Sequence, residues 1–529
     1  MKRTLKFVVL VALIALSTVS CKHDEPDPKN KAEYTIMYYA AGGSNVDQCV
    51  LPMVEEFYLA AAEVYDKVNV VVQYKFSTAE NLKTQYESQS RLPYAERFTE
   101  EYRQRFGSQS IRWAVDPSKT MDEQIQEPGN LYGAFNADCT CPDSLVNFIN
   151  WAAKNYPAKK YILVMNDHGH GYLPHEDLPD EAAAAPARGM IFDDGYLLPD
   201  SSRKHFTVMN FTRAIRSVNV RFETIYMLAC MMNNFVYQFE LKDLCDYTIA
   251  STYVMPAAGG ALNVLAEQFA QPNVDVEKAL DAYCKADVAS WDATMQDWGA
   301  TDGDPVYTDM TVTRTSSLNA LGQTMREFTN RLCSTYETGT DDQRKTIDDC
   351  TAHAVKVEKE RPFYDGAKYM ESVMRSLPEV YSEAFYEEMK TNFNNAIVAQ
   401  YYSKYLESHN YQVDYSVLLG EEGSYSLFDW VPNFELETYV PAVRTCYYED
   451  GTTSKSSYTM DESGIHESDS QPGNPWGSTL SATLEQTEFD RAVGWSRWLR
   501  INRQEPSLFC PSGLGYTLPD GDVSDNPNL

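Results

Sequence analysis

The sequence predicts an α/β fold in which a mostly parallel sheet is flanked by helices. Short apolar strands alternate with helical segments from Tyr34 to Val254, and this alternation is typical of βαβ units with right-handed crossovers. Beyond about residue 300 the pattern changes, so we expect a mixed α+β region at the C-terminal end. A chain of 529 residues is also longer than one ordinary core requires.

The predicted strands are buried runs rich in Val, Ile, Leu and Tyr, each bounded by turn residues. They lie at Tyr34–Ala41, at Val68–Tyr74, from Tyr161, from Thr224 and at Tyr247–Val254. Apolar residues at helical spacing predict helices between them, at Val50–Tyr65, Asp143–Asn155, Met209–Arg216 and Asn233–Leu244. In the second of these helices we expect Asp143 as the N-cap and one buried face made of Leu145, Phe148, Ile149 and Ala152.

Four further stretches complete the outline of the chain. Residues 76–130 are polar and lack clear periodicity, which predicts a long insertion. Phe385, Met389, Phe393 and Ile397 recur every four residues, which predicts the buried face of a helix. The stretch 436–500 is β-rich with turn residues, and 512–529 is expected to be a loose tail.

The first 21 residues form a targeting signal rather than a part of the fold. A basic start, Met1-Lys2-Arg3, precedes the apolar run Phe7–Leu16, and small residues then lead to Cys21. A Cys in that place resembles the lipobox of bacterial lipoproteins, and a plain cleavage site is the alternative. We therefore expect residues 1–21 as a lipoprotein signal, residues 22–32 as a tether, and an exported protein on the outer membrane or cell surface. The lipid on Cys21 would be the chain's attachment to the membrane.

Charge and cysteine usage exclude several classes of function. The formal net charge of −31 argues against a nucleic-acid partner, because binding phosphate needs clustered Lys and Arg. The spacing of Cys139 and Cys141 is too short for a zinc knuckle, and no EF-hand spacing is present. The sequence thus predicts no metal ligand, fixes no cofactor and leaves calcium open. If Cys230 is a free nucleophile, the remaining cysteines cannot all pair, so some are expected to be buried thiols.

Two of the predicted strands end in residues that can react. One ends at His168, followed by Gly169, and the next ends at Cys230. Because ligands bind at the carboxyl ends of parallel strands, these residues indicate a thiol nucleophile with a proton acceptor. The sequence Met231-Met232-Asn233-Asn234 is expected to open a helix directly after the Cys, which would favour the thiolate. His170 is a rival to His168, and taken singly a loop His or a strand-end Cys is usually structural.

Six segments, in the right order, resemble the clostripain family of cysteine peptidases, which shares a fold group with caspases, gingipains and legumains. They are Tyr34–Ala41, 157–163, 167–172, 188–194, 228–231 and 250–252. The resemblance implies a caspase-like peptidase domain at residues 33–300 and an accessory α+β region at residues 301–529. It also implies a peptide or protein substrate and a catalytic dyad of His168 and Cys230. The N–H groups of Gly169 and Cys230 would then bind the oxyanion.

The residue two places before the nucleophile bears on specificity. Family members selective for Arg or Lys usually have Asp there, lining the S1 pocket, whereas this chain has Leu228. A buried cation needs a compensating acid, so Leu228 indicates an apolar or small P1 residue unless another acid substitutes. Ser251 is assigned to the same substrate pocket.

Two alternatives stay open. The chain could be a catalytically degenerate surface lipoprotein that binds a peptide or glycan, which Leu228 and the insertion at 76–130 would favour. It could also be a hydrolase with a Ser nucleophile, although no G-x-S-x-G elbow occurs at a predicted strand-to-helix turn.

Overall fold

A computed structural model provides the fold. It describes residues 32–89, 91–130, 138–169, 189–197, 203–206, 208–253, 255, 259–297, 308–352, 365–408, 443–447, 453–461, 464–468 and 487–502. The predicted signal, Cys21, most of the tether, His170 and the tail at 512–529 lie outside the described residues. So do residues 174–188, which lie between the two predicted catalytic residues.

Thirteen strands occur in the described part of the chain, and eight of them form one mixed sheet in the order β10-β9-β8-β7-β4-β1-β2-β3. The strands are β1 (Ala32–Ala41), β2 (Val68–Lys75), β3 (Ser110–Ala114), β4 (Ala158–Asn166), β5 (Met190–Leu197), β6 (Arg203–Phe206), β7 (Phe222–Leu228), β8 (Cys245–Ala250), β9 (Asp309–Arg314), β10 (Ile397–Tyr402), β11 (Val443–Tyr447), β12 (Thr453–Asp461) and β13 (Gly464–Ser468).

The centre of the sheet is parallel, as the sequence predicts. Strands β2, β1, β4, β7 and β8 pair in parallel in that order, and each corresponds to a predicted strand. Every residue of β2 and of β7 is buried, because helices cover both faces of the sheet. The predicted fold class is therefore confirmed.

Five strands outside this parallel centre were not predicted. The insertion at 76–130 contributes β3, which pairs antiparallel with β2 at one edge. Strands β5 and β6 form a separate antiparallel hairpin between the two predicted catalytic residues. At the other edge β9 and β10 add antiparallel to β8, although both follow residue 300. The sheet therefore continues into the region predicted as accessory.

The α-helices are α1 (Asp47–Glu56), α2 (Ala79–Glu87), α3 (Glu100–Phe106), α4 (Met121–Ile125), α5 (Pro142–Asn155), α6 (Val208–Ser217), α7 (Phe235–Leu241), α8 (Leu262–Phe269), α9 (Val276–Asp297), α10 (Leu318–Thr338), α11 (Asp341–Ala352), α12 (Gly366–Ser376), α13 (Glu383–Ala396), α14 (Lys404–Ser408), α15 (Glu488–Val493) and α16 (Trp495–Asn502).

The structure corrects several of the predicted elements. The helix predicted at Val50–Tyr65 ends at Glu56 and is followed by two short 3₁₀ helices. The N-cap of α5 is Cys141, and Pro142 takes the first helical position, so Asp143 lies inside the helix; the predicted buried face is confirmed. Three of the four residues of the predicted face near 390 are buried in α13, whereas Ile397 begins β10. Part of the stretch predicted as β-rich forms α15 and α16 instead.

The side chains of the sheet divide between two apolar clusters, one on each face. Because side chains alternate along a strand, Ile225 and Met227 of β7 join one cluster, while Tyr226 and Leu228 join the other. The first cluster packs against α5, α6, α7 and α10–α16, and the second against α1–α4, α8 and α9. Within the described residues, no helix is both long enough and apolar enough to cross a bilayer.

Candidate active site

The two predicted catalytic residues lie at the same level on neighbouring strands. Strands β4 and β7 are parallel partners, and their last paired residues are Asn166 and Leu228. His168 and Cys230 each follow two residues later, at the carboxyl edge of the sheet. The register of the sheet therefore brings both residues to one edge, as the sequence predicts.

The backbones of the two strand ends touch at Gly169. A Cβ built on this residue would lie 2.3 Å from the carbonyl oxygen of Cys230, 2.8 Å from its amide nitrogen and 2.8 Å from the Cβ of Ala229. Two of these atoms belong to the backbone and cannot turn aside. Only glycine permits so close an approach of the two turns.

The peptide unit between His168 and Gly169 is held in one orientation. The His168 carbonyl accepts a hydrogen bond from the N–H of Ile191 at 3.2 Å, and Gly169 forms a β-bridge with Met190. In a trans peptide the C=O and N–H groups point in opposite directions. The N–H of Gly169 therefore points away from β5, an orientation compatible with the predicted oxyanion role.

The half-buried imidazole of His168 has a polar contact that was not predicted. Its Nε2 lies 2.7 Å from Oδ1 of Asn45, which stands on the loop after β1. The edge of the ring faces Phe192, with 6.1 Å between ring centroids and 85° between planes. The preceding residue, Asp167, is buried and accepts the N–H of Phe192 at 2.5 Å, which ties the end of β4 to β5.

The half-buried thiol of Cys230 contacts the backbone of Met255. The N–H of Met255 donates to the sulfur at 3.1 Å, and its carbonyl oxygen lies 3.9 Å from the sulfur. Met231, the next residue, has a φ of 58°, a left-handed conformation that is uncommon for a residue with a side chain. Its N–H donates to the carbonyl of Tyr253 at 3.0 Å, which holds this turn in place.

The helix expected directly after Cys230 begins later. α7 starts at Phe235, and the side chain of Asn234 caps it by accepting the N–H of Tyr237 at 3.1 Å. The expectation that a helix N-terminus lies against the sulfur was therefore wrong, because Met231 turns the chain before the helix starts. The N–H of Met255 is the backbone donor at the sulfur, and a donor in that place favours the thiolate.

A buried carboxylate fixes the segment that contacts the thiol. Oδ1 of Asp309 accepts the hydroxyl of Ser251 at 2.9 Å and the N–H groups of Thr252 and Tyr253 at 2.7 and 3.1 Å. Burial raises the pKa of this carboxyl to about 6. Asp309 thus anchors the turn that leads to Met255.

Both residues assigned to a substrate pocket are buried. Leu228 is 3 % exposed and belongs to the same apolar cluster as Tyr226 and Ile249, and Ser251 is fully buried. The Ser251 hydroxyl lies 2.9 Å from Asp309 and 3.1 Å from the carbonyl oxygen of Tyr253. A substrate side chain would reach either residue only past the atoms that now cover it, and their pocket role stays a prediction.

Three residues near the site were missed in the sequence. Asn45 follows the Gly42–Ser44 turn at the end of β1, the neighbour of β4, so the strand-end argument that selected His168 could also have found it. Met255 contributes a backbone group, and Asp309 comes from a strand distant in sequence. Neither Met255 nor Asp309 could be recognised from the sequence around it.

Asp193 and Asp194 make structural contacts. Oδ2 of Asp193 lies 3.7 Å from the buried ammonium of Lys75 and accepts the N–H of Cys139, while Asp194 accepts the N–H of Thr78 at the start of α2. No group of three or more His, Cys, Asp or Glu in the described chain could hold a metal ion.

All eight cysteines whose side chains the structure describes are free thiols. Because the cysteines other than Cys230 cannot all pair, we expected some free thiols. Cys141 and Cys230 are partly exposed. The other six are buried: Cys49, Cys139, Cys245, Cys284, Cys333 and Cys350. Burial raises the pKa of Cys49 to about 12, so thiols of this kind resist ionisation.

Comparisons with known proteins find a matching family and similar folds. The sequence profile of the clostripain family, peptidase family C11, matches residues 38–470. A secreted C11 cysteine protease from Bacteroides thetaiotaomicron, solved with an irreversible peptide inhibitor, has a similar fold with a TM-score of 0.51 and 14 % identity, covering 88 % of this chain and 99 % of that one. An inactive zymogen of a C11 protease from Parabacteroides distasonis matches with a TM-score of 0.46, 14 % identity and the same coverage. No curated protein matches the chain.

Proposed function

The chain belongs to the clostripain family of cysteine-type endopeptidases, and on that premise we propose that Cys230 is its nucleophile and His168 its general acid and base. One observation carries this proposal. The parallel register of β4 and β7 ends at Asn166 and Leu228, so the two reactive residues stand side by side at the edge of the sheet. The close approach of Gly169 to Cys230 supports it independently.

The proposed reaction is acyl transfer through a thioester. The Cys230 thiolate attacks the scissile carbonyl carbon, and the N–H groups of Gly169 and Cys230 donate to the oxyanion of the tetrahedral intermediate. The His168 imidazolium gives its proton to the leaving amine as the C–N bond breaks. Water then gives a proton to His168 and attacks the thioester carbonyl; the C–S bond breaks, which releases the acid and regenerates the Cys230 thiolate and the His168 imidazolium.

Substitution of Cys230 tests its role as the nucleophile. Cys230→Ala should abolish hydrolysis of a fluorogenic peptide panel and block labelling by a peptidyl warhead that modifies thiols. Cys141→Ala, which removes the other partly exposed thiol, should leave both unchanged. If the wild-type chain hydrolyses no peptide and the warhead does not reach Cys230, the catalytic proposal is wrong. The chain would then fit the alternative of a degenerate surface lipoprotein that binds a peptide or glycan.

We also propose that the enzyme does not select Arg or Lys at P1. Leu228 is packed among apolar side chains where Arg- or Lys-selective relatives usually carry an acid. Asp309 is the nearby candidate for a substitute acid, yet it is fully buried and its Oδ1 already accepts three donors. An uncompensated cation in an apolar site costs several kcal/mol, so peptides with Leu or Ala at P1 should be cleaved about 100-fold faster than those with Arg or Lys. Equal or faster cleavage after Arg would refute this specificity.

Export as a lipoprotein is proposed from the N-terminal sequence. The basic start, the apolar run and Cys21 form a lipobox-like signal, and a lipid on Cys21 would anchor the chain to the outer membrane or cell surface. Labelling of cells with a palmitate analogue should mark the wild-type chain, and Cys21→Ser should remove the label and release the protein from the membrane fraction. A labelled Cys21→Ser variant would contradict the anchor.

A further inference from the structure

We propose that Asn45 is a positioning residue for the peptidase reaction: its side-chain amide holds the His168 imidazole in the tautomer whose basic nitrogen is Nδ1. This inference rests on the proposed function of His168 and Cys230. It adds a third residue to the proposed dyad, contributed by the strand next to β4 on the side away from β7.

The orientation of the Asn45 amide selects the tautomer that we propose. Oδ1 of Asn45 lies 2.7 Å from Nε2 of His168, and an amide oxygen can only accept a hydrogen bond. With the oxygen as the partner, Nε2 carries the proton, whereas an amide turned over would donate to Nε2; the Asn45→Asp variant below distinguishes the two arrangements. In the neutral ring the other nitrogen, Nδ1, is then the one that can take the thiol proton. The same Nε2–H remains a donor to Asn45 in the imidazolium, so the contact persists through both proton-transfer steps.

The loop that carries Asn45 is rigidly held. Ser44, the residue before it, has a left-handed φ of 84°, and its N–H donates to Oγ of Ser77 at 3.1 Å. The N–H of Val46, the residue after it, donates to the carbonyl of Gly42 at 2.9 Å. Strained backbone of this kind persists only where the surroundings determine it, and it is concentrated at functional sites.

The buried carboxylate of Asp47 holds the end of this loop in place. Asp47 is fully buried and accepts the hydroxyl of Tyr74 at 3.0 Å, the amide of Gln85 at 2.8 Å and the N–H of Ser77 at 3.2 Å. Gly42 leaves no room for a side chain against this carboxylate, since a Cβ there would lie 2.1 Å from Oδ1. The position of Asn45 relative to the end of β1 is thus set by packing and hydrogen bonds.

The choice of an amide matters for charge. Asn45 orients the ring without adding a negative charge, so it does not hold the proton on His168 as a carboxylate would. The adjacent carboxylate of Asp167 accepts from the N–H of Phe192 and is present in every variant considered below. Replacing the amide with a carboxylate should therefore keep the acceptor and stabilise the imidazolium.

The test compares Asn45→Ala and Asn45→Asp with Asn219→Ala, which removes an exposed amide on the loop before β7. Two quantities are measured from pH 5 to 10: the rate of alkylation of Cys230 by iodoacetamide, followed by peptide mapping, and kcat and KM for the best peptide of the panel. Thermal melting confirms that each variant is folded.

Asn45→Ala should lower kcat about 10- to 100-fold with little change in KM, because a general base that is no longer oriented misplaces the proton transfer. Asn45→Asp should retain most of the wild-type kcat, and the basic limb of its pH profile should move up by about one unit, since the imidazolium keeps its proton longer. Asn219→Ala should behave as wild type.

Two results would overturn the inference while leaving the dyad intact. One is a wild-type rate and pH profile in folded Asn45→Ala. The other is an Asn45→Asp variant as impaired as Asn45→Ala, since that would mean that the amide donates to a basic Nε2 instead. Failure of the wild-type chain to cleave any peptide, with Cys230 alkylated no faster than Cys141, would instead overturn the proposed function and this inference together.

Discussion

The contact between the two strand ends gives a sharp prediction for Gly169→Ala. The added methyl would lie 2.3 Å from the carbonyl oxygen of Cys230, whereas ordinary van der Waals contact begins near 3.4 Å. The turns after β4 and β7 would have to separate by about 1.1 Å, because the obstructing atoms belong to the backbone. The φ of Gly169 lies outside the left-handed region, so steric crowding alone is the cause.

The expected loss of activity in Gly169→Ala follows from that displacement. Misplacing catalytic groups by about 1 Å costs on the order of 100-fold in rate, or about 2.7 kcal/mol of transition-state stabilisation. Overpacking of a tight contact also lowers the free energy of unfolding by about 1–3 kcal/mol. We therefore expect kcat/KM to fall about 100-fold and the variant to remain folded at 25 °C with a lower Tm.

The assay measures kcat/KM on the best fluorogenic peptide and the rate of Cys230 alkylation, with thermal melts as the measure of stability. Gly129→Ala is the matched control, because a Cβ at that exposed glycine would meet nothing within 4 Å. If Gly169→Ala keeps wild-type kcat/KM, alkylation rate and Tm, close approach of the two turns is not needed for catalysis.

Three further predictions concern the surroundings of the site. Burial raises the pKa of the Asp309 carboxyl to about 6, so the folded state binds its proton more tightly than the unfolded chain does. The stability gained from this bound proton is fully present below about pH 4 and is lost as the pH rises to about 6. Asp309→Asn should therefore flatten the fall in unfolding free energy between about pH 4 and 6 by about 3 kcal/mol in urea titrations, and parallel curves for the two proteins would contradict this. Iodoacetamide should modify Cys230 and Cys141 in the native protein and the six buried thiols only in denaturant, as peptide mapping can establish; native modification of a buried thiol would be inconsistent with the packing. Phe489 stacks on Phe235 with 5.2 Å between ring centroids, so Phe489→Ala should lower the unfolding free energy by about 3–5 kcal/mol and Phe489→Leu by less, whereas an unchanged urea midpoint would show that α15 adds nothing to the core.

The sequence by itself determined the parallel centre of the sheet and the two residues at its edge. Strands β1, β2, β4, β7 and β8 are continuous apolar runs, because helices cover both of their faces, and such runs are visible without any long-range information. His168 and Cys230 follow two of these runs directly. Their proximity could be predicted because the carboxyl ends of parallel strands meet at one edge.

The edge strands could not be predicted in the same way. β3 lies in a polar stretch without clear periodicity, and β9 and β10 join the sheet from positions far along the chain. Whether these segments form strands depends on which open edge of the sheet they pair with. The local sequence of a short segment does not show which strand that is. For the same reason, the boundary drawn at residue 300 from the change in pattern does not mark the end of the sheet.

The details of the site were likewise decided by tertiary structure. Asn45 reaches His168 from the loop after β1, Met255 offers a backbone N–H to the sulfur, and Asp309 holds the turn before Met255 from another strand. The left-handed turn at Met231, which delays α7, depends on a hydrogen bond to Tyr253. Each of these is a contact between segments distant in sequence, and such contacts exist only once the chain has folded.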